Sequence, residues 1–447
     1  MVAERLLVTT TRINLILTWL LLVPSWSKFP TTTAMTTAAA KMASSHSVAI
    51  IGGGIAGCAS ARRLAQRLGA ERIRITLYDI GRGPGGRAST RTTRKLPHLK
   101  INHGAPYADI RSTLGKSLVE DAAEVFCGVS GSLDAITGKF TKHESSDSEQ
   151  IKYVTGANGQ MSEIAAALIR NTTPAIDTRY KTMVRSLSKN RGGQWELLDQ
   201  DQHVVGSADW LVVAGSGIAH PRWSSTFGGE PPLVAAQQKY SDSLLRKSLT
   251  EIAKQQTSPV LAVLVAFSGP RAREWLTLGY NVATIKDSSV LSKVVIQGGE
   301  KDNDDAWCSV VLHSTEDFAL KNTGVYGASS SAARIGEAAS DASREEALVK
   351  EMIVALDEIP SVPAVEASPS CDYGPVLHRW GNAFPKGKAL PRDLSFVPSS
   401  KVAFCGDYVA YDDDVRFGSF ESALLSGTAA GDNIANEIAK LCQEEEQ

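Results

Sequence analysis

Apolar positions along the chain switch between the spacing of strands and that of helices. Val48–Ile51 is an unbroken apolar run that ends in glycines, the mark of a strand buried on both faces. Ile55, Ala59, Leu64 and Leu68 then recur at helical intervals, and Ile73, Ile75 and Leu77 alternate as in a strand. The order is β-α-β, the opening of a parallel sheet. "DWLVVAG" (209–215) and "KVAFCGD" (401–407) read as two more buried strands, and the run from Ser419 reads as a helix. Strand-like runs near 180–187, 194–198 and 203–206, with a turn at Asn190–Gly193, predict a small β-meander. "SPVLAVLVAFS" (258–268) and "AWCSVVLHST" (306–315) predict strong strands, and 344–359 predicts an amphipathic helix. Residues 323–343 are rich in Ser, Ala and Gly and are expected to form a mobile insertion. No internal repeat is visible. The fold class is α/β, with α+β elements in a second domain. A discontinuous Rossmann-like domain is expected over 46–110, 151–235 and 398–447, and a sheet-plus-helices substrate domain over 111–150 and 236–397.

Composition narrows the field. A formal net charge of -1 over 447 residues, with no dense basic run, argues against nucleic acid as a partner. The six cysteines are scattered without a C-x-x-C pair, so neither a disulfide framework nor a zinc site is expected, and no metal is assigned. Residues 1–45 differ from the rest. Arg5 and Arg12 precede the apolar run 13–23, which is about half the ~20 residues of a spanning helix. A Thr/Ser/Ala-rich stretch follows, and no acid occurs between Glu4 and Glu71. A signal-like run followed by a transit-like run suits a plastid reached through the secretory route. Secretion or residence in the endoplasmic reticulum is an alternative, as is a cytoplasmic protein that starts at Met42. No stable membrane span is expected.

The chemistry begins at Gly52, Gly54 and Gly57, spaced G-x-G-x-x-G between the first strand and the first helix. Gly52 permits the tight turn, Gly54 close approach to a pyrophosphate, and Gly57 close helix–strand packing. Ile55 and Ala56 fall in the first helical turn, whose free N–H groups favour phosphate. Asp79 ends the second strand, where an acid accepts hydrogen bonds from a ribose. Strand, glycines, helix, strand and acid together point to a dinucleotide. Gly85, Gly86 and Arg87 follow, and a second glycine turn with a guanidinium suits the same pyrophosphate.

Five segments carry a family resemblance: "GRGPGGRASTR" (81–91), "INHGAPY" (101–107), "GANGQMSEIAAAL" (156–168), "HRWGNAFP" (378–385) and "VAFCGDYVAYDDDVRFGSFESALLSGTAAGDNI" (402–434). In this order they resemble the FAD motifs of the amine-oxidase-type flavoproteins, and most closely the renalase branch. The resemblance implies a Rossmann-like FAD-binding domain of the glutathione reductase/amine oxidase type. It places Arg87, Gly104 and Ala105 on the pyrophosphate or flavin side, and Val184 against adenine. Gly406 and Asp407 fall near the ribityl chain, and Phe420, Glu421 and Ala423 at the last helix beside the flavin. His103, Tyr107, His378 and Trp380 become candidates for the flavin face, together with Trp275, Trp307, His313 and Arg379. No general base is assigned, because hydride transfer to a flavin asks the protein for orientation and electrostatics. Two departures stand out: Asn102 replaces an acid before His103, and "YDDDVRFGSF" alters the approach to the last helix while keeping Arg416.

Three readings stay open. The first is a renalase-like oxidase that returns isomeric 2- or 6-dihydroNAD(P) to NAD(P)+, with O2 as acceptor and hydrogen peroxide as product. The second is an amine oxidase or a carotenoid desaturase-like enzyme. The third is a non-catalytic flavin scaffold.

Overall fold

The computed structural model describes residues 45–143, 152–299, 306–338, 340–365 and 371–446. The targeting segment expected over 1–45, with the alternative start at Met42, lies outside the described residues apart from Ser45. The buried apolar runs gather in a six-stranded sheet. Its order is Asp177–Tyr180, Ile73–Asp79, His46–Ile51, Trp210–Val213, Val402–Phe404 and Phe396–Val397. All neighbours are parallel except the last pair. Parallel strands need cover on both faces. Val48, Ile50, Ile75, Leu77 and Val212 face the helices Ile55–Arg67, Met161–Ile169 and Phe420–Glu446. Ala49, Tyr78, Leu211 and Val213 face the other way, onto a core shared with Leu187, Trp195 and Leu197 of a three-stranded meander.

The meander is Ser186–Lys189, Trp195–Leu198 and Val204–Ala208. The strand expected over 180–187 is divided. Asp177–Tyr180 joins the parallel sheet, and Lys181, with φ 57, breaks the run before Ser186.

A second sheet of seven strands runs Tyr373–Lys386, Gln256–Ser268, Trp307–Ser314, Leu291–Gly299, Val282–Lys286, Ser130–Asp134 and Phe140–Lys142. Strand periodicity gives it two different faces. Leu261, Val263, Val265, Val294, Val310 and Leu312 build an apolar core with the helices Gly269–Leu276 and Ala342–Asp357. The opposite face holds Ala262, Leu264, Val295 and Val311, with Tyr107, Tyr373 and Trp380 packed on it. The segment expected as a mobile insertion packs against the protein where it is described. Val325 is fully buried, Ser330 is buried, and Gly327 lies against the Leu377 carbonyl. These three buried residues hold it down, which a composition rich in Ser and Ala conceals. No helix among the described residues is long and apolar enough to cross a membrane.

The helices Ile55–Arg67 and Phe420–Glu446 touch backbone to backbone where small residues meet. A Cβ on Gly427 would fall inside the contact radius of the Ala56 carbonyl oxygen. Overpacking of this kind costs ~1–3 kcal/mol, and backbone cannot rotate aside. Gly427→Ala is therefore expected to lower the thermal midpoint by several degrees, whereas Gly192→Ala, near only the flexible Asn190 side chain, leaves it within a degree or two. Equal midpoints would refute the close-packing argument.

Candidate functional site

The two glycine turns lie directly on one another. Gly85 N donates to Gly53 O at 2.8 Å, and Gly54 and Gly85 form a β-bridge. Gly85 has φ +119 and Gly86 φ +55, and a Cβ on Gly86 would press on Gly54. Two adjacent glycines are needed because the loop turns in the left-handed region while it touches a second backbone. Gly52, with φ +114, is closed in by the Ala214 carbonyl, and Gly57 packs on the Gly52 carbonyl. Gly54 alone of these faces open space. Ile55 and Ala56 are buried in the first turn of the helix.

Asp79 sits at the mouth of this crossing. Its carboxylate accepts from Gly53 N and Gly81 N, both at 2.5 Å. Burial raises its pKa, and the two N–H donors pull part of the shift back. Beside it runs a cavity of about 340 Å³ lined by Gly52, Asp79, Val184, Gly215, Arg222 and Asn382, among others. That size is within the ~300–1,000 Å³ typical of small-molecule sites. Two polar atoms at its wall are buried without a partner, Arg222 Nη1 and Asn382 Oδ1. Arg222 also donates to Ser216 Oγ at 2.8 Å. Burial and the neighbouring Arg87 charge lower its pKa to about 10, against the pull of Asp407. Glycine backbone, a ribose-type acid, a guanidinium with one unpartnered nitrogen and an unpartnered amide oxygen fit a dinucleotide along this wall. Neither Arg222 nor Asn382 belongs to a glycine motif, so no spacing rule reveals them.

Arg87 and Asp407 are brought together rather than held apart for two portions of a ligand. Arg87 donates to both Asp407 oxygens, at 2.5 and 2.6 Å, and to the Ala383 carbonyl at 2.8 Å. Burial works against the Arg87 charge, and Asp407 outweighs it, leaving the pKa raised. Gly406, with φ +140, is clamped by Ser426 Oγ, which accepts from its N–H at 3.0 Å. Glu421 points away from this point. Its carboxylate accepts from Arg111 N, Ser112 N and Ser112 Oγ and so fixes the chain entering the helix Thr113–Leu118. Phe420 and Ala423 pack on the helical core, and the exposed Arg416 side chain reaches Asp109 at 3.9 Å.

The next part of the site is a row across the large sheet. His378, Ala262, His313 and Lys293 stand opposite one another on four adjacent strands. Over the row lies His103. Its carbonyl meets His313 Nε2 at 3.2 Å and accepts from Trp380 Nε1 at 3.1 Å. The His103 ring is 4.9 Å from His378 and 5.2 Å from Trp380, centre to centre. The His103 loop is tight, since Gly104 has no room for a Cβ beside the Arg87 carbonyl and Trp380, and Ala105 N donates to Arg87 O. Asn102 explains its departure from the family pattern. Its Oδ1 accepts from Thr90 Oγ1 and Met161 N, while Nδ2 donates to Gly159 O. A carboxylate has no donor for Gly159.

All three imidazoles are held neutral. Burial lowers His313 and His378 to about 3, with added repulsion from Lys293 on the first and from Arg91 and Arg82 on the second. Burial, His378 and Arg91 hold His103 well below its ordinary value.

Other candidates lie elsewhere. Tyr107 stands in the bend before the strand Ala108–Ile110 and belongs to an aromatic trio with Phe126 and Tyr153. Trp275 is fully buried against Phe267 in the apolar core, and Trp307 packs on His98. Arg379 points to the opposite side of its strand from His378 and donates to the Ala319 and Asn322 carbonyls. Asp199, Asp201 and His203 cluster in an exposed hairpin turn remote in sequence from every motif, held by turn hydrogen bonds to Asp199.

Two predictions follow from this geometry. Arg87→Met leaves Asp407 buried and unpaired. The loss for breaking a fully buried pair is ~3–5 kcal/mol, and the 36% exposure of the Arg87 side chain brings it to about 2–3. Chemical denaturation should show that loss, with most of it regained in Arg87→Met/Asp407→Leu; no regain would contradict an uncompensated charge as the cause. The histidines make a pH prediction. Their folded pKa values lie below the unfolded 6.5, so the unfolded chain binds more protons as pH falls. Their stabilisation is complete above about pH 6.5 and is lost as pH drops toward 3, at about 1.4 kcal/mol per pH unit for each group. Stability measured at pH 7.5, 6 and 5 should fall, and His313→Gln should flatten the fall; an unchanged slope would mean that His313 is charged when folded.

A family model described as an NAD(P)-binding Rossmann-like domain matches residues 50–112. No curated protein matches the sequence. Among solved structures the chain is similar to cyclohexylamine oxidase from Brevibacterium oxydans IH-35A, with a TM-score of 0.52 and 14% identity over 89% of this chain and 100% of that one. It is also similar to a double mutant of putrescine oxidase from a structure-based redesign of cofactor binding. There the TM-score is 0.51 and the identity 13%, over 88% of this chain and 99% of that one. At such identities the likeness is one of fold. The chain carries a Rossmann-like NAD(P)-binding domain, and its mixed α/β architecture is that of these amine oxidases.

Proposed function

We propose that this protein is an FAD-dependent oxidoreductase that oxidises a reduced nicotinamide dinucleotide of the isomeric 2- or 6-dihydro class. Dihydro-isomer, O2 and one proton become NAD(P)+ and hydrogen peroxide. The observation that carries the reading is the continuity of the two half-sites. The Arg87 backbone belongs to the glycine crossing and also receives Ala105 N, two residues from His103 and its imidazole–tryptophan cluster. FAD, when bound, supplies a two-electron acceptor. Gly52, Gly54 and the first helical turn would hold its diphosphate, Asp79 a ribose, and Arg222 and Asn382 the wall of the same cavity. On the other side, Trp380, packed against His103 and His378, orients the substrate ring. Neutral imidazoles are compatible with hydride removal, which needs no proton from the protein.

An amine oxidase is the second reading, favoured by the fold of the similar structures. Electrostatics counts against it. Arg91, Arg82 and Lys293 all bear on the histidine row, and each repels an alkylammonium. The N-terminus, apolar then hydroxylated and without an acid after Glu4, supports delivery to an organelle, a plastid first.

Two measurements test the proposal. Flavin-loaded full-length protein, mixed anaerobically with 6-dihydroNAD, should bleach at the flavin absorbance much faster than with NADH or a primary amine. Bleaching by the amine alone moves the protein to the second reading, and no bleaching by any of the three overturns both. Arg222→Met should raise the dissociation constant for FAD about tenfold or more, read by fluorescence on release of flavin, because it removes a charge-assisted donor. An unchanged constant would take Arg222 out of the cradle.

A further inference from the structure

Arg91 has a setting that neither the glycine motifs nor the row of histidines explains. It leaves the strand Thr90–Arg91, four residues after Arg87, and is only 8% exposed. Its hydrogen-bond partners are hydroxyls. Nη1 donates to Tyr373 Oη at 2.9 Å, and Nη1 and Nη2 donate to Ser329 Oγ at 3.1 and 3.2 Å. Its Nε has no partner. Among the described residues no carboxylate forms an ion pair with Arg91, or with Arg82 and Arg334, whose charges act on the same spot. A buried guanidinium normally has an anion beside it, because removing its charge from water is costly.

The neighbouring histidines show the same deficit. His103 and His378 are 6% and 9% exposed, and the Nδ1 atom of each is buried without a partner. Their rings lie edge to face 4.9 Å apart, and the Arg91 charge reaches both. Three nitrogens on three adjacent, nine-tenths-buried side chains thus lack acceptors, around a local positive charge. A neutral imidazole carries one N–H and can present it at Nδ1. A guanidinium edge and two imidazole edges supply the donors that an oxyanion needs.

We infer that Arg91, with His103 and His378, forms an oxyanion subsite that takes a phosphate group of the substrate. The inference rests on the proposed dinucleotide substrate and adds the residue that recognises its charged part. Arg91 binds and orients here; no bond is made or broken at it. Ser329 belongs to the 323–338 segment, so the same guanidinium ties that segment to the strand Thr90–Arg91.

The test uses full-length, flavin-loaded protein at constant ionic strength, titrated with inorganic phosphate, pyrophosphate and acetate. Thermal shift and the flavin difference spectrum are read together. Phosphate and pyrophosphate should bind saturably, and Arg91→Met should weaken them about tenfold or more, with partial recovery in Arg91→Lys. Acetate binding as tightly as phosphate would overturn the assignment to a phosphate. Arg91→Met should also raise KM for 6-dihydroNAD about tenfold while kcat stays within about threefold. Should Arg91→Met fail to fold, phosphate inhibition of the wild type decides: competition with the dihydro-isomer supports the subsite, and its absence overturns it. The two readings fail separately. Arg91-dependent phosphate binding without oxidation of the isomer keeps the subsite and removes the substrate. Oxidation of the isomer with KM unmoved by Arg91→Met or phosphate keeps the substrate and removes the subsite.

Discussion

The Arg87–Asp407 pair holds the site together. It joins residues 320 apart in sequence, and through the Ala383 carbonyl it reaches a strand of the other sheet. Three elements distant in sequence meet at one planar fork. The pair's net stabilisation is small, since desolvating two charges offsets most of their attraction. What it supplies is geometry. A bidentate guanidinium–carboxylate contact fixes both distance and plane. It sets where the second glycine turn lies over the first and where Gly406 stops. Because Arg87 O also receives Ala105 N, the same residue positions the His103 loop. Movement here displaces the glycine crossing and the histidine row together.

The large sheet turns strand alternation into a division of labour. Residues 261, 263, 265, 310 and 312 bury methyl groups against helices, as an ordinary core does. Their neighbours 262, 309, 311 and 313 face the Rossmann-like part, and there polar groups enter. Gln297 shows how the two halves lock. It accepts from Asn102 N at 3.0 Å and donates to Asn102 O at 3.2 Å, pairing like one more strand residue. Asn102 in turn satisfies Thr90, Met161 and Gly159. A single-residue slip in any of these strands would send His313 and Lys293 into the apolar core, so the register is tightly specified.

The local half of this structure was legible from sequence, and the convergent half was not. The first strand, glycines, helix, second strand and Asp79 follow one another within 34 residues, positions 46 to 79, and each has its own local signal. Long strands such as Gln256–Ser268 announce themselves by length and branching. The sequence also marked His103, His378 and Trp380. It named His313 among the candidates too, but a lone histidine in an apolar strand reads like any core position until the strand register sets it level with His378. Asp407 looked free because its partner is hundreds of residues away. Arg222 follows "HP" in a stretch without glycine spacing, and only its unpartnered nitrogen beside a cavity marks it. The 323–338 segment misled because composition measures average polarity, whereas three buried residues decide packing.

The same distinction bears on function. Glycines, an acid and a β-α-β order specify that a dinucleotide is held, and many chemistries share that frame. What separates one substrate from another is the charge that the protein leaves uncompensated in the chamber. Here buried cations outnumber their carboxylates. Asp407 is one acid beside two guanidiniums, Arg87 and Arg222, and the Arg91 region has hydroxyl partners alone. Burying surplus positive charge destabilises the empty protein, and that charge adds to the burial that chiefly lowers the histidine pKa values. A ligand that brings negative charge relieves it, so binding and stability are coupled through the same side chains. A protonated amine would aggravate the surplus, whereas the phosphates of the proposed dinucleotide would relieve it. On that proposal the surplus charge around the histidine row, rather than the fold, is what favours a phosphate-bearing substrate.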